Sequence, residues 1–149
     1  MRIVALAALL AAALTLAGCS GGAKRLTKDE YARQADAVCR EFQTKIEALG
    51  EPKSLADIVR LADRALPILE DGLGRLRRLR PHKDLEATAK AWLRTGDANV
   101  AALEDLRAAA EQRDEAAIQR VAREAETNDK LGDELATELG MKDCAEDST

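Results

Sequence analysis

Three cysteines, one histidine and a scatter of paired carboxylates are the residues of this 149-residue chain whose types could do chemistry. The thiols are Cys19, Cys39 and Cys144, and no two of them form a CxxC pair. A redox dithiol therefore has no local framework. The single imidazole is His82, with Asp84 and Glu86 beside it. One histidine excludes a di-iron site built on two Glu-x-x-His motifs, and it excludes any dyad that uses a second imidazole. Haem ligation by His82 and Met141 would lack the CxxCH attachment motif. Glu111/Glu115 and Asp129/Asp133 stand one helical turn apart. Such pairs could hold a divalent cation weakly, but solvated helix faces carry them routinely. Gly72-Leu73-Gly74 lacks the further glycine and the strand–helix setting of a phosphate loop. The expectation is a non-enzymatic chain with no metal and no cofactor.

Cys19 differs from the other thiols in its surroundings. Residues 1–18 read MRIVALAALLAAALTLAG, with Arg2 ahead of an uncharged run and 15 of the 18 residues apolar. A stable membrane span needs about 20 apolar residues, and here a polar segment follows at once. The pattern is that of an export signal rather than part of a fold. Its end, Leu16-Ala17-Gly18-Cys19, resembles the lipobox of bacterial lipoproteins. That resemblance implies diacylglycerol on the Cys19 sulfur and cleavage just before it. The alternatives are an uncleaved anchor helix and an ordinary secretory signal cut elsewhere. Residues 1–18 are thus expected to be a signal peptide, 19–27 a lipidated cysteine and flexible tether, and 28–149 a helical domain. Two or three acyl chains hold firmly, at roughly 0.8 kcal/mol per buried CH₂. The expected location is the extracytoplasmic face of the cell membrane, with the membrane itself as a partner through Cys19.

With Cys19 assigned to lipid, Cys39 and Cys144 remain as an even pair in an exported chain, which predicts a disulfide. Two free buried thiols are the alternative. To form the bridge, the tail after Gly140 must climb back two to three turns along the first helix. Charge is uneven. Residues 20–80 carry 13 basic and 10 acidic side chains, and residues 81–149 carry 9 and 17. The acidic second half argues against nucleic-acid binding. The one basic cluster, Arg75, Arg77, Arg78 and Arg80, is a candidate contact for anionic lipid headgroups. A solvated helix end, where positive charge suits the dipole, is the alternative.

Four helices must position these groups. Aromatics are only 2% of the chain, which disfavours a β-rich fold. Thr27 and Glu30 form a capping-box pattern, and Tyr31, Ala35, Val38, Phe42, Ile46 and Leu49 then keep one helical stripe until Gly50 and Pro52. Ser54 opens a second stripe, running from Leu55 to Leu76 and interrupted by Pro67. That stretch is either one kinked helix or two helices joined near Ala65–Pro67. A third stripe runs from about Lys83 to Ala110. It keeps its phase across Thr95-Gly96-Asp97, which favours continuity with Gly96 as a close-contact point over a break there. The fourth begins near Asp114, carries Ile118, Val121, Ala125, Asn128, Leu131, Leu135 and Leu139, and ends at Gly140. Asn128 on this stripe is expected to pack rather than to bind ligand. Short connections favour an antiparallel up-down-up-down four-helix bundle.

The chain also resembles small helical lipoproteins of actinobacteria, a group with no assigned activity. The resemblance rests on Leu16-Ala17-Gly18-Cys19, the string from Tyr31 to Cys39, the Gly74–Pro81 segment, Trp92-Leu93, and the closing Gly140-Met141-Lys142-Asp143-Cys144-Ala145. It implies export and a Cys39–Cys144 bridge, not chemistry. Two functions remain. A lipid-anchored interaction or envelope-structural domain, with an envelope protein as partner, predicts an apolar or charged patch on one bundle face and no deep cavity. An apolar ligand or lipid carrier predicts a cavity of at least ~300 Å³ lined by leucines and Trp92.

Overall fold

A computed structural model of the chain describes residues 24–145. The expected signal peptide, the lipidation site Cys19 and residues 20–23 of the tether lie outside the described residues. The described chain is an all-α antiparallel four-helix bundle: α1 Lys28–Glu47, α2 Leu55–Leu76, α3 Glu86–Gln112 and α4 Glu115–Glu138. None of these helices is long and apolar enough to cross a membrane.

Three of the four helices, α1, α2 and α4, start where a side-chain cap satisfies orphan amides of the first turn. Thr27 Oγ1 accepts from the Glu30 N–H at 3.3 Å, and Glu30 accepts in return from the Thr27 N–H at 2.9 Å. Ser54 and Asp114 cap α2 and α4 through the N–H groups of Asp57 and Ala117. Gly50 and Gly140 follow α1 and α4 with φ of +74° and +81°, a conformation glycine adopts freely. The third helix departs from expectation at both ends. A single 3-10 turn, Lys83–Leu85, precedes the α-helix, which starts at Glu86. It stops two residues beyond Ala110, where Arg113 takes the left-handed conformation at φ 56°.

α2 is one helix through Pro67. Pro67 has no N–H to offer the carbonyl of Asp63 in the preceding turn, and both residues are exposed. α3 is continuous across Gly96.

Cross-helix contacts fix the antiparallel register. Glu41 of α1 meets Arg75 of α2, Asp63 of α2 meets Arg107 of α3, and Asn99 of α3 meets Asp129 of α4. The chain order is therefore also the spatial order, with α2 on α1, α3 on α2 and α4 on α3. The basal end of the bundle holds the start of α1 and α3 and the end of α2 and α4. The large core residues gather there: Tyr31, Val38, Leu76, Trp92, Leu139 and Met141 are buried. Toward the other end, the buried positions are mostly alanines, among them Ala62, Ala65, Ala109 and Ala110.

Closure of the bundle is uneven. α1 and α4 do not pack on each other along their length. Leu131 departs from the expected core. The apolar periodicity puts it on the inward stripe of α4, yet it is 49% exposed. The buried residues of α4 are Val121, Gly132 and Ala136, and Asn128 and Asp129 hydrogen-bond to α3 beside them. Leu131 lies off that face and away from the Glu126, Asp129, Lys130 and Asp133 side that looks toward α1.

Candidate functional site

The seam between α1 and α4 is closed at the basal end by the tail, not by the helices. After Gly140 the chain folds back along α1. Asp36, only 8% exposed, accepts from the Lys142 N–H at 3.0 Å and from the Cys144 N–H at 3.3 Å. One turn on, Cys39 and Cys144 form the expected disulfide, with their Cα atoms 5.4 Å apart. Beyond it the Gln43 side-chain amide donates to the Asp143 carbonyl at 2.8 Å, and Arg40 pairs with the Asp143 carboxylate. Asp36, Cys39, Arg40 and Gln43 are therefore a second stripe on α1, at helical spacing, that faces the tail. A polar residue set in this register with a cysteine is a signal the sequence carries. Asp36 and Gln43 were nevertheless not among the expected site residues.

Above the disulfide the seam opens into a cleft of about 460 Å³. Leu69, Leu73 and Leu76 of α2 and Trp92 and Leu93 of α3 give it an apolar floor. Phe42 stands on the α1 side, and the α4 side carries Glu126, Asp129, Lys130 and Asp133. Two glycines shape the floor. A Cβ on Gly96 would lie 2.4 Å from Leu73 Cδ2, so only glycine lets Leu73 seat against α3 in its present position. A Cβ on Gly72 would meet Phe42 at 3.8 Å, an ordinary contact.

The α3–α4 wall of the cleft is held by a polar chain. The Asn128 amide donates to the Thr95 carbonyl at 2.9 Å and to the Asn99 side-chain oxygen, and the Asn99 amide donates to Asp129 at 2.7 Å. Thr95 Oγ1 donates to the Trp92 carbonyl at 2.7 Å. Asn128 thus packs as a bridge between helices, as its place on the stripe suggests. Gly132 brings the helices close at this level, since a Cβ there would be 3.1 Å from Thr95 Oγ1.

The residues singled out for chemistry are dispersed. His82 is exposed, 3.1 Å from Asp84, at the turn before α3. Glu111 pairs with Arg107 at the far end of α3, while Asp129 and Asp133 lie on the cleft rim. Glu126, beside them, is held below the usual carboxylate range by its hydrogen bond to Lys130. Among the described residues no group of three His, Cys, Asp or Glu side chains could hold a metal ion.

The arginine cluster is split by the fold. Arg75 is half-buried and pairs with Glu41 of α1 at 2.7 Å, and Arg77 pairs with Asp97 of α3. Arg78 and Arg80 are exposed at the basal end. The entering chain is pinned beside them. The Leu26 N–H donates to the Arg80 carbonyl at 2.7 Å, and the Arg25 guanidinium donates to the Pro81 carbonyl at 3.1 Å and pairs with Glu86.

No protein-family model matches the chain, and no curated protein or solved structure matches it.

Proposed function

We propose that the chain is an exported, lipid-anchored, non-enzymatic protein, akin to the small helical lipoproteins of actinobacteria, whose bundle receives an apolar ligand group in the α1–α4 cleft. The observation that carries the ligand half of this reading is the cleft itself. Its volume of about 460 Å³ exceeds the ~300 Å³ at which small-molecule pockets begin, and its floor is leucine and tryptophan. The competing role, docking of an envelope protein on one bundle face, calls for an apolar or charged patch and no deep cavity. Leu131 is the one exposed large apolar side chain among the described residues, and isolated exposed leucines are ordinary.

Export is supported by the Cys39–Cys144 bridge, because such bonds persist in oxidising compartments. The anchor is supported by the string Leu16-Ala17-Gly18-Cys19. A Cys19→Ala chain should leave the membrane fraction, and its retention there would contradict the anchor. For the cleft, the uncharged dye Nile red should bind one-to-one with blue-shifted emission. Leu73→Glu, which puts a charge on the cleft floor at a half-buried position, should abolish that binding while the helical circular dichroism persists. Absence of dye binding to the unaltered protein would contradict the ligand reading.

A further inference from the structure

The cleft above the disulfide carries charge on one wall only. No residue that α1, α2 or α3 contributes to its lining is charged. Its floor is apolar, and the polar side chains these helices add, Gln43, Thr95 and Asn99, are neutral. All the charge comes from α4, as the carboxylates Glu126, Asp129 and Asp133 and the ammonium of Lys130.

Hydrogen bonds and ion pairs do not remove charge, so every group counts in full. Glu126 pairs with Lys130 at 2.8 Å. Three negative charges against one positive still leave the wall with two net negative charges. The surroundings do not offset them. On α4, Arg123 and Glu134 flank the wall with one charge of each sign. Across the cleft Lys45 and Arg75 contact Glu41, and Asp71 lies 4.0 Å from Arg75. Arg77 pairs with Asp97, and Arg40 with Asp143. Asp36 sits beside Lys142 below the disulfide. Cations and carboxylates in these surroundings are equal in number, so the surplus on the α4 wall stands.

One of these carboxylates is fixed in place. Asp129 Oδ1 accepts from the Asn99 amide at 2.7 Å, and Asn99 is held in turn by Asn128, which also bonds the Thr95 carbonyl. That chain runs from α3 to α4 and engages one of the two carboxylate oxygens, leaving Oδ2 as an acceptor. A carboxylate preset in this way loses little further freedom when it meets a cation. A concave site with apolar walls and charge of one sign focuses its field on whatever enters.

We infer that the ligand of the cleft is a cationic amphiphile, with an apolar body seated on Leu69, Leu73 and Trp92 and a protonated amine turned to Asp129 and Asp133. This inference rests on the cleft reading proposed above and gives that ligand its chemical class. A fatty acid would set its carboxylate against the same wall, and a phospholipid its phosphate, so the wall rejects both.

The test is displacement of Nile red at neutral pH by three additives that share one alkyl chain: decylamine, decanol and decanoate. Decylamine should displace the dye at a concentration at least about tenfold lower than decanol does, because hydrogen bonds between charged groups are the strong ones. Decanoate should be the weakest of the three. In a D129N/D133N protein, where amides of nearly the same shape replace the carboxylates, decylamine and decanol should compete about equally. Equal competition in the unaltered protein, or an advantage for decanoate, overturns the amine assignment while leaving the apolar cleft intact. A preference for decylamine that persists in D129N/D133N overturns the role of the α4 wall. Failure of Nile red to bind the unaltered protein contradicts the cleft reading, and the amine assignment with it.

Discussion

Cys39 and Cys144, 105 positions apart in the chain, meet at the basal boundary of the cleft, and both residues line it. The bond does what helix packing does not. It ties the end of α4 to α1 across the one seam of the bundle that the helices leave open. A loop of about 100 residues restricted in the unfolded state is worth up to about 4–5 kcal/mol on the chain-entropy model. The Asp36 and Gln43 contacts to the same tail do not involve the sulfurs and should hold part of it after reduction. A Cys39→Ser/Cys144→Ser protein should therefore lose about 2–4 kcal/mol in denaturant unfolding. Intact mass should rise by two hydrogens on reduction of the unaltered protein, and an unchanged mass would contradict the bridge.

Asp36 should be the most costly single polar residue to remove. Its buried carboxylate accepts from two backbone amides of the tail, and hydrogen bonds to a charged group contribute about 1.5–3 kcal/mol each way they are measured. Asp36→Ala is expected to cost about 2–4 kcal/mol. Combined with the double serine change it should cost less than the sum, because both hold the same five-residue tail. Additivity in urea unfolding would contradict the shared role.

Tyr31 offers a test with the opposite sign. It is fully buried, and its hydroxyl finds no hydrogen-bond partner. Burial pushes its pKa up to about 12 from an ordinary value of 10. Tyr31→Phe removes an unsatisfied group and should stabilise the fold by about 1 kcal/mol near neutral pH. The alkaline behaviour follows by linkage. Between pH 10 and 12 the unfolded tyrosine gives up its proton while the folded one keeps it, so stability falls as pH rises through that window. The phenylalanine protein should lack that component, and identical alkaline unfolding of the two proteins would contradict it.

Gly96→Ala separates stability from binding. The new methyl would collide with the tip of Leu73, a half-buried and flexible side chain that must turn away. Replacing glycine inside a helix recovers about 0.8–1 kcal/mol, which offsets much of that strain. Thermal unfolding should therefore shift little. Nile red affinity should fall severalfold, because Leu73 is displaced on the floor of the cleft. Unchanged affinity would show that Gly96 and Leu73 do not shape the binding surface.

Much of the fold was legible because its determinants are local. Thr27 with Glu30, Ser54 with Asp57, and Asp114 each mark a helix start within four residues of sequence. Gly50 and Gly140 mark two ends in the same way. The unbroken stripe across Gly96 was the correct sign of a continuous helix. The features that escaped depend on which surfaces meet. Leu131 obeys the helical period and is exposed all the same, since burial requires a neighbour and it lies off the face of α4 that Val121, Gly132 and Ala136 turn into the bundle. Asp36 reads as one more surface acid until the tail arrives to use it. The four arginines look alike in a row, yet Glu41 and Asp97 engage two of them from other helices. Arg113 holds a left-handed position that is more often given to glycine, so the end of α3 carried no sequence mark.

The central claim, a ligand group held in the α1–α4 cleft, is tested most directly by the mass of the protein purified from its own host. Denaturing and native mass spectrometry should be compared on one preparation. A covalent anchor on Cys19 adds the same mass in both. A ligand in the cleft adds mass in the native spectrum alone, and the Leu73→Glu protein should lose that increment. A native mass equal to the denatured mass would contradict the account.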